Sequence, residues 1–339
     1  MGEASSVFKA KVSTLESIEG IGSIRANSIK AFKDFARAEK EIGFIEKYKI
    51  KTLFLNDKDY PQRLLNCYDA PALLFYKGKA NLNAPRIISI VGTRNNTEYG
   101  KNFTEKLVRD LAEVNVLVVS GLAFGIDAIA HKAALKYGQP TVGAVGHGLD
   151  IIYPSENKSL AKEMVQQEGG IISEFFSETK PDKHNFPLRN RIVAGLADAT
   201  VVVETAVKGG SMITAKLADS YNRDVFALPG RVDDSKSKGC NYLIQFNKAI
   251  LLTDAKQLLQ IMGWEEKKKD NTPRQPELFA ELSPEEHQLV QLLQEKEMVH
   301  IDEINLRSGL SSSSIAAAIL NLELQNLIQA LPGKMYRLI

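Results

Sequence analysis

At 339 residues, with 44% apolar and 25% charged side chains, the chain is long enough for two or three domains and has the composition of a folded globular protein, which excludes global disorder. Its net charge of +2 excludes a bulk-basic nucleic-acid binder, so any anion site must be local. Cys67 and Cys240 lack CxxC spacing, which argues against a disulfide framework or a zinc site and fits a reducing cytosol, and no apolar run approaches the ~18 residues of a membrane span.

Residues 12–35 read as helix, tight turn and helix, with Ile18-Glu19-Gly20-Ile21-Gly22 as the turn. Such a turn belongs either to a plain helical hairpin or to a helix-hairpin-helix, whose glycine amides can approach a DNA phosphate at a helix N-terminus. Residues 1–80 are accordingly expected to form a helical, SAM-like unit. Beyond it the texture changes. The apolar runs RIISIV (from 86), VLVVS (116), TVGAV (141), GIIS (170), ATVVVE (199), DVFAL (224) and AILL (249) alternate with helical patterns. Apolar strands separated by helices imply a parallel sheet covered on both faces. The expected fold class is therefore α/β, a Rossmann-like doubly wound domain over 81–264.

Residues 265–280, EEKKKDNTPRQPELFA, have linker composition. Within them Gln275-Pro276-Glu277-Leu278-Phe279 resembles the short Q-x-x-L-F peptide by which many bacterial proteins grip the sliding clamp; alternatively, Leu278 and Phe279 dock on the domain that follows. That domain, 281–339, opens with the helix-start signal Ser283-Pro284-Glu285-Glu286. Helices over 283–296, 301–307 and 311–326 and a strand pair over 328–338 spell a winged helix. It holds eight acids against four bases, a net of −4, and the helix in the recognition position, Ser311–Gln325, has no lysine or arginine. A helix that reads a DNA groove needs cations for the phosphates. A protein contact is the expected role.

In open α/β sheets ligands collect at the carboxyl ends of the strands. Here those ends carry Gly92-Thr93-Arg94-Asn95, Ser120-Gly121-Leu122-Ala123-Phe124-Gly125, Gly146-His147-Gly148, Glu204-Thr205 with Lys208-Gly209-Gly210-Ser211, and Pro229-Gly230-Arg231. Any one of these glycine turns either closes a tight βα unit or cradles an anion. Several on one rim, with Arg94 among them and helix N-termini behind, make a phosphate site the expected reading. The first loop lacks G-x-G-x-x-G, which disfavours a nicotinamide or flavin, and the Walker pattern is absent. No cofactor and no metal are expected. Ser120, Asp127, His131, His147 and Glu204 are the possible acids, bases or nucleophiles, without a recognisable triad order.

VGTRN (91–95), SGLAFGIDAIAH (120–131), GGIISEF (169–175), NFPLRNRIVAGLADATVVVE (185–204), KGGSMITAKLA (208–218) and LPG (228–230) together resemble the DNA-processing protein A family (DprA, also called Smf). The resemblance covers roughly 85–260. It implies a homodimeric single-stranded DNA binder rather than an enzyme, one that protects incoming DNA and loads the RecA recombinase during natural transformation. It maps the strand site onto Arg94, Lys183, Phe186, Lys208, Gly209, Gly210 and Ser211. Gly92, Ser120, Gly121 and Gly125 supply neighbouring loop backbone. Lys216 and Arg191 either join the site or face the sheet; Arg189 and Asn190 either join it or brace the loop. Phe186 either stacks on a base or sits in the core. For the dimer, Leu243, Ile244 and Phe246 are interface or core. The competing reading is a nucleotide-binding or phosphoribohydrolase-type enzyme on a related fold. Its PGGxGTxxE loop carries a catalytic glutamate, and the comparable Gly209–Ala215 stretch has none.

Overall fold

A computed structural model describes residues 4–265 and 282–339, apart from 297, 326, 332 and 333. Two compact units divide the chain, 1–266 and 267–339. The clamp-like peptide 275–279 lies outside the described residues.

The first unit opens with four helices, α1 Ala4–Lys9, α2 Val12–Glu16, α3 Ser23–Ala31 and α4 Ala36–Tyr48. The turn between α2 and α3 places Gly20 at φ +81°, a conformation glycine adopts without a side-chain clash. The chain then alternates through β1 Lys51–Phe54, α5 Gln62–Leu65, β2 Leu73–Gly78, β3 Ile87–Gly92, α6 Glu98–Leu111, β4 Leu117–Ser120 and α7 Ile126–Lys136. It continues with β5 Thr141–Ala144, α8 Lys158–Gln166, β6 Gly170–Ser173, α9 Asn185–Leu196, β7 Ala199–Val203 and α10 Gly210–Ser220. β8 Asp224–Ala227, α11 Lys238–Gln245, β9 Ile250–Leu251 and α12 Ala255–Ile261 complete the unit.

All nine strands form one sheet, in the order β1-β2-β6-β5-β4-β3-β7-β8-β9. From β6 to β9 every pairing is parallel. β1 and β2 depart from the expected all-helical segment 1–80: they add an antiparallel edge, with Phe75 opposite Ser173 and Gly78 opposite Gly170. The reason is local. β6 would otherwise present an unpaired row of backbone groups, and the apolar run LLFYKG covers it with Leu74, Phe75 and Tyr76 buried.

Alternation along the strands builds two cores. Ile87, Val91, Leu117, Val119 and Val202 face α5, α9, α10 and α11 on one side. Ile88, Ile90, Val118, Val201 and Val203 face α6, α7 and α12 on the other. Cys67 and Cys240 are free thiols buried in the first of these cores, and burial pushes Cys240 up to about 12. Among the described residues no helix is long and apolar enough to cross a membrane.

The second unit comprises α13 Pro284–Gln294, β10 Val299–His300, α14 Ile301–Ser308, α15 Ser312–Leu324, β11 Ile328–Leu331 and β12 Met335–Leu338. Its sheet runs β10-β12-β11, antiparallel throughout. Ser283 caps α13 in a reciprocal box with Glu286. Leu289, Leu293, Ile304, Ile315, Ile319 and Leu322 form the core. Arg307 bonds Glu295 and Glu303, and Lys296 bonds Glu303, so two of the few cations are neutralised internally. The outward side of α15 offers serines with Leu320 and Leu324, 56% and 72% exposed. A fragment spanning 281–339 is therefore expected to leave duplex DNA unshifted at physiological salt in a mobility-shift assay; a saturable shift would contradict this reading of the surface.

Candidate nucleic-acid interface

β3 is the first parallel strand in the chain, and its two sheet neighbours are β4 and β7. The chain proceeds outward from β3 through β4, β5 and β6, then returns to its other side as β7. Loops leaving the carboxyl ends of β3 and β7 therefore diverge to opposite faces, and the crevice between them is the switch point at which such sheets bind ligands. A cleft of about 450 Å³ opens there. Its walls are Gly92, Thr93 and Arg94 at the end of β3, Gly121, Ala123 and Asp127 after β4, Lys183, Phe186, Pro187, Arg189 and Asn190 around the start of α9, and Thr205, Ala206, Gly209, Gly210 and Ser211 around the start of α10. The N-terminal turns of α9 and α10 thus border one space. Their first amides lack intrahelical partners and carry the positive ends of two dipoles.

The loop after β3 is held by Glu204. This residue adopts φ +53°, is 2% exposed, and turns its carboxylate back to accept from the Thr97 amide (2.9 Å) and the Thr97 hydroxyl. Its carbonyl accepts from the Thr93 amide at 2.8 Å. A side chain at Gly100 would meet the Glu204 carboxylate at 2.5 Å, so the glycine is what lets the acid reach. Arg94, between these anchors, stays exposed, with its guanidinium carbon 5.7 Å from the centroid of the Phe186 ring. Arg94, Lys183 and Lys208 are all exposed and have no carboxylate partner among the described residues.

Phe186 is half-buried and shared between the cleft and an adjoining aromatic notch. Tyr153 lies 6.1 Å from it, ring to ring, at 31°. Phe124 and Tyr153, 41% and 47% exposed, complete the notch with Pro154. Neither was singled out from the sequence. The signal was present only as aromatics following glycine turns, in LAFG and GHGLDIIYP.

The expected site residues divide between those that line the cleft, among them Arg189, Asn190, Gly209, Gly210 and Ser211, and those that do not. Arg189 is 5% exposed and donates to the carbonyls of Gly121 and Ala144, the latter at 2.7 Å. It braces the floor of the cleft rather than facing outward, because the start of α9 points it at the ends of β4 and β5. Beside it, Asp127 accepts from the Gly121 and Ala123 amides at 3.2 and 3.4 Å. Burial pushes the Asp127 carboxyl up, and the Arg189 charge opposes that shift. Burial likewise pulls the guanidinium down against the pull of Asp127. Arg191 faces away from the cleft, bonded to Glu174 and to the Asp69 carbonyl. Ser120 is buried and donates to the Ile90 carbonyl at 2.6 Å. Ser211 is also buried, and donates to the Thr205 hydroxyl at 2.7 Å. Gly125, at φ +73°, lets the backbone pass the Thr93 carbonyl, which a side chain would meet at 2.3 Å; it shapes the Arg94 loop without lining the cleft. Lys216 and Lys208 are exposed beside the cleft rather than in its wall. Gly209 and Gly210 line it, and Gly210 has open space around it. Asn190 lines it, half-buried. His131 bonds the Thr141 hydroxyl at 2.6 Å, and burial pulls it down to about 3. His147 bonds the Gly148 carbonyl and accepts from the Tyr153 amide.

The fold and the cleft define a Rossmann-like protein with glycine turns, exposed cations and aromatic faces gathered at the switch point. The model of the DNA recombination-mediator protein A family matches residues 51–263, and that of the DprA winged helix domain matches 272–334. The chain belongs to this family. It is similar to Protein Smf of Synechocystis, 32% identical with 97% of this chain and 90% of the relative covered. Among solved structures it is similar to DNA processing protein A of Streptococcus pneumoniae, with a TM-score of 0.67, 36% identity, and 74% and 86% of the two chains covered. It is also similar to DNA processing protein A of Helicobacter pylori, with a TM-score of 0.57, 32% identity, and 63% and 95% covered. The H. pylori structure is described for its single-stranded DNA binding mode. The family match begins at β1, the first strand after the four N-terminal helices.

The brace makes a sharp stability forecast. A methyl group at Gly121 would lie 2.1 Å from the Arg189 guanidinium and 2.6 Å from the Asp127 carboxylate. Removing the guanidinium would leave Asp127 buried without its countercharge. Arg189→Ala is therefore expected to lower unfolding free energy by about 3–5 kcal/mol, against less than about 0.5 kcal/mol for Lys183→Ala. Urea denaturation of both variants checks the contrast.

Proposed function

We propose that the cleft holds a segment of single-stranded DNA, and that the protein is a cytoplasmic recombination mediator that protects incoming strands and passes them to the RecA recombinase in natural transformation. The observation that carries this reading is the grouping of exposed Arg94 and Lys183, neither with a carboxylate partner among the described residues, around the half-buried Phe186 ring at one cleft. Cations track a phosphate backbone, and a π-face stacks on any base, so the pair of features suits a strand of arbitrary sequence. Tyr153 and Phe124 extend the apolar face for a neighbouring base. The likeness to the H. pylori protein supports the same reading.

Binding without bond cleavage is the role these residues favour. The Asp127 and Glu204 carboxylates are committed to loop backbone, and the imidazoles of His131 and His147 are buried and internally bonded. Asp127 lines the cleft, but its carboxylate, like that of Glu204, is taken up by loop backbone, His147 holds the loop after β5, and His131 ties α7 to β5.

Oligo-dT affinity measured against salt tests the site. With Arg94, Lys183 and Lys208 each on a phosphate, log K is expected to fall with log salt at a slope of about −2, from ~−0.7 per contact. Alanine at any of the three should flatten it by about one contact. Phe186→Ala should weaken binding by about 1–3 kcal/mol at unchanged slope, since stacking releases no counterions. Full affinity in Phe186→Ala, or release of ribose phosphate from mononucleotides, would overturn the reading.

We also propose a homodimer. β9 is the end strand of the sheet, and Ile250, Leu251, Tyr242 and Phe246 are 37–55% exposed beside it. Leu243 belongs to the core, at 3% exposure, and Ile244 packs partly against it, so Phe246 is the outward member of the three expected residues. Exposed apolar side chains on a sheet edge favour pairing with a second copy. Light scattering at micromolar concentration is expected to give a dimer and, for Phe246→Arg, a monomer.

A further inference from the structure

The segment that carries Lys183 and Phe186 leaves β6 at Ser173 and is gripped early by the N-terminal helices. Glu41, on α4, is 4% exposed. Its carboxylate accepts from the Ser177 amide at 3.0 and 3.1 Å and from the Ser177 hydroxyl at 2.6 Å. One helical turn earlier, Arg37 donates to the Ser177 carbonyl at 2.6 Å and to Glu41 at 2.9 Å. The Arg37/Glu41 pair thus satisfies the amide, the carbonyl and the hydroxyl of a single loop residue. Arg37 also lies 5.7 Å from the centroid of the Phe176 ring, and Phe176 packs on Phe75 of β2 at 5.4 Å.

Opposite α4, the loop after β5 completes the grip. Asp150 accepts from the Glu178 amide at 2.9 Å, and the Thr179 carbonyl accepts from the Gly148 amide at 3.0 Å. Glu178 itself adopts φ +66°, a conformation that persists in a non-glycine residue only when its surroundings over-determine it. Lys183 follows Ser177 by six residues and Phe186 by nine. Between them, short-range bonds from the His184 amide to Asp182, from the Asn185 amide to the Asp182 carbonyl and from the Asn185 side chain to the Lys180 carbonyl make the segment a compact turn. Where Ser177 is held, that turn is held.

We propose that Glu41 is a positioning residue for strand binding, acting through Ser177 to set the loop that presents Lys183 and Phe186. The inference rests on the reading of the cleft as a single-strand site. It gives the N-terminal helices a role in affinity without any contact to DNA: a carboxylate on α4 fixes an anchor from which the binding side chains are suspended. An amide in place of the carboxylate keeps one oxygen for the Ser177 amide but turns N–H groups toward the Ser177 hydroxyl and the Arg37 guanidinium, so part of the grip is lost and the loop exchanges its single arrangement for several.

The test uses the full chain with Glu41→Gln, which keeps the side-chain volume, and Ser177→Ala, which removes only the hydroxyl. Hydrogen exchange is read on 174–186 and on the central strands. Oligo-dT affinity is read in the native background and in the double variant Lys183→Ala/Phe186→Ala. The expected result for Glu41→Gln is exchange about tenfold faster in 174–186 with β3, β4 and β5 unchanged, and oligo-dT affinity roughly fivefold weaker. Ser177→Ala should move both readouts in the same direction by a smaller factor. In the double-variant background the affinity effect of Glu41→Gln should vanish, because the groups it positions are gone. Equal loss in both backgrounds, unchanged exchange in the loop, or faster exchange throughout the central strands would each overturn the proposal. If the native chain itself fails to bind oligo-dT, the reading of the cleft falls, and the loop-exchange measurement still decides whether Glu41 anchors the segment.

Discussion

Arg189 carries its charge beneath the floor of the cleft, and the surface above depends on where that charge is satisfied. Its guanidinium reaches the carbonyl ends of two neighbouring strands through Gly121 and Ala144, with Asp127 supplying the opposing charge. Burying an ion without a partner costs several kcal/mol. The start of α9, the loop after β4 and the end of β5 are thereby locked to one another. Phe186, three residues earlier on α9, inherits that fixed position, and so does the space between it and Arg94. The cation farthest from solvent in this region therefore sets the geometry of those that face it.

A second device of the same kind holds the opposite wall. Glu204 sits in a left-handed conformation so that its carboxylate can return to Thr97. Gly100 leaves room for it, and Gly125 leaves room for the Thr93 carbonyl. Acids that a sequence reader would rank as possible catalysts are thus spent on backbone amides. At the cleft, Arg94 and Lys183 have no carboxylate partner among the described residues, the condition that suits binding a polyanion: a lysine already bonded to a carboxylate gains little from a phosphate. The second unit shows the contrary arrangement, with Arg307 and Lys296 bonded to its own acids.

Much of this was legible from residue order. Apolar runs of four to six residues separated by helix-length polar patterns specify parallel strands with helices on both faces, and Ser283-Pro284-Glu285-Glu286 announces a helix start that the structure forms as a capping box. Arg94, Lys183, Phe186, Gly209 and Gly210 could be nominated because phosphate and base recognition draw on few residue types, and the motif order matched a known family. β1 and β2 were not legible. Strands of four and six residues resemble buried helix segments in a short window, and β6, the strand on which β2 pairs, lies far along the chain, with Phe75 opposite Ser173.

What the sequence by itself determined was the class of the fold, the rim on which ligands gather, and the residue types available there. Those follow from hydrophobic periodicity and from glycine at strand ends, both properties of neighbouring residues. Only the tertiary structure decided which of the cations face outward. Arg189 and Arg191 stand two apart in one helix with Phe186, yet one is sealed under the cleft and the other is bonded to Glu174 and Asp69. Tyr153 joins Phe186 from a different loop, and Glu41 reaches Ser177 across 136 positions. Side-chain direction and long-range partnership depend on how helices and strands pack, and no local pattern encodes that packing.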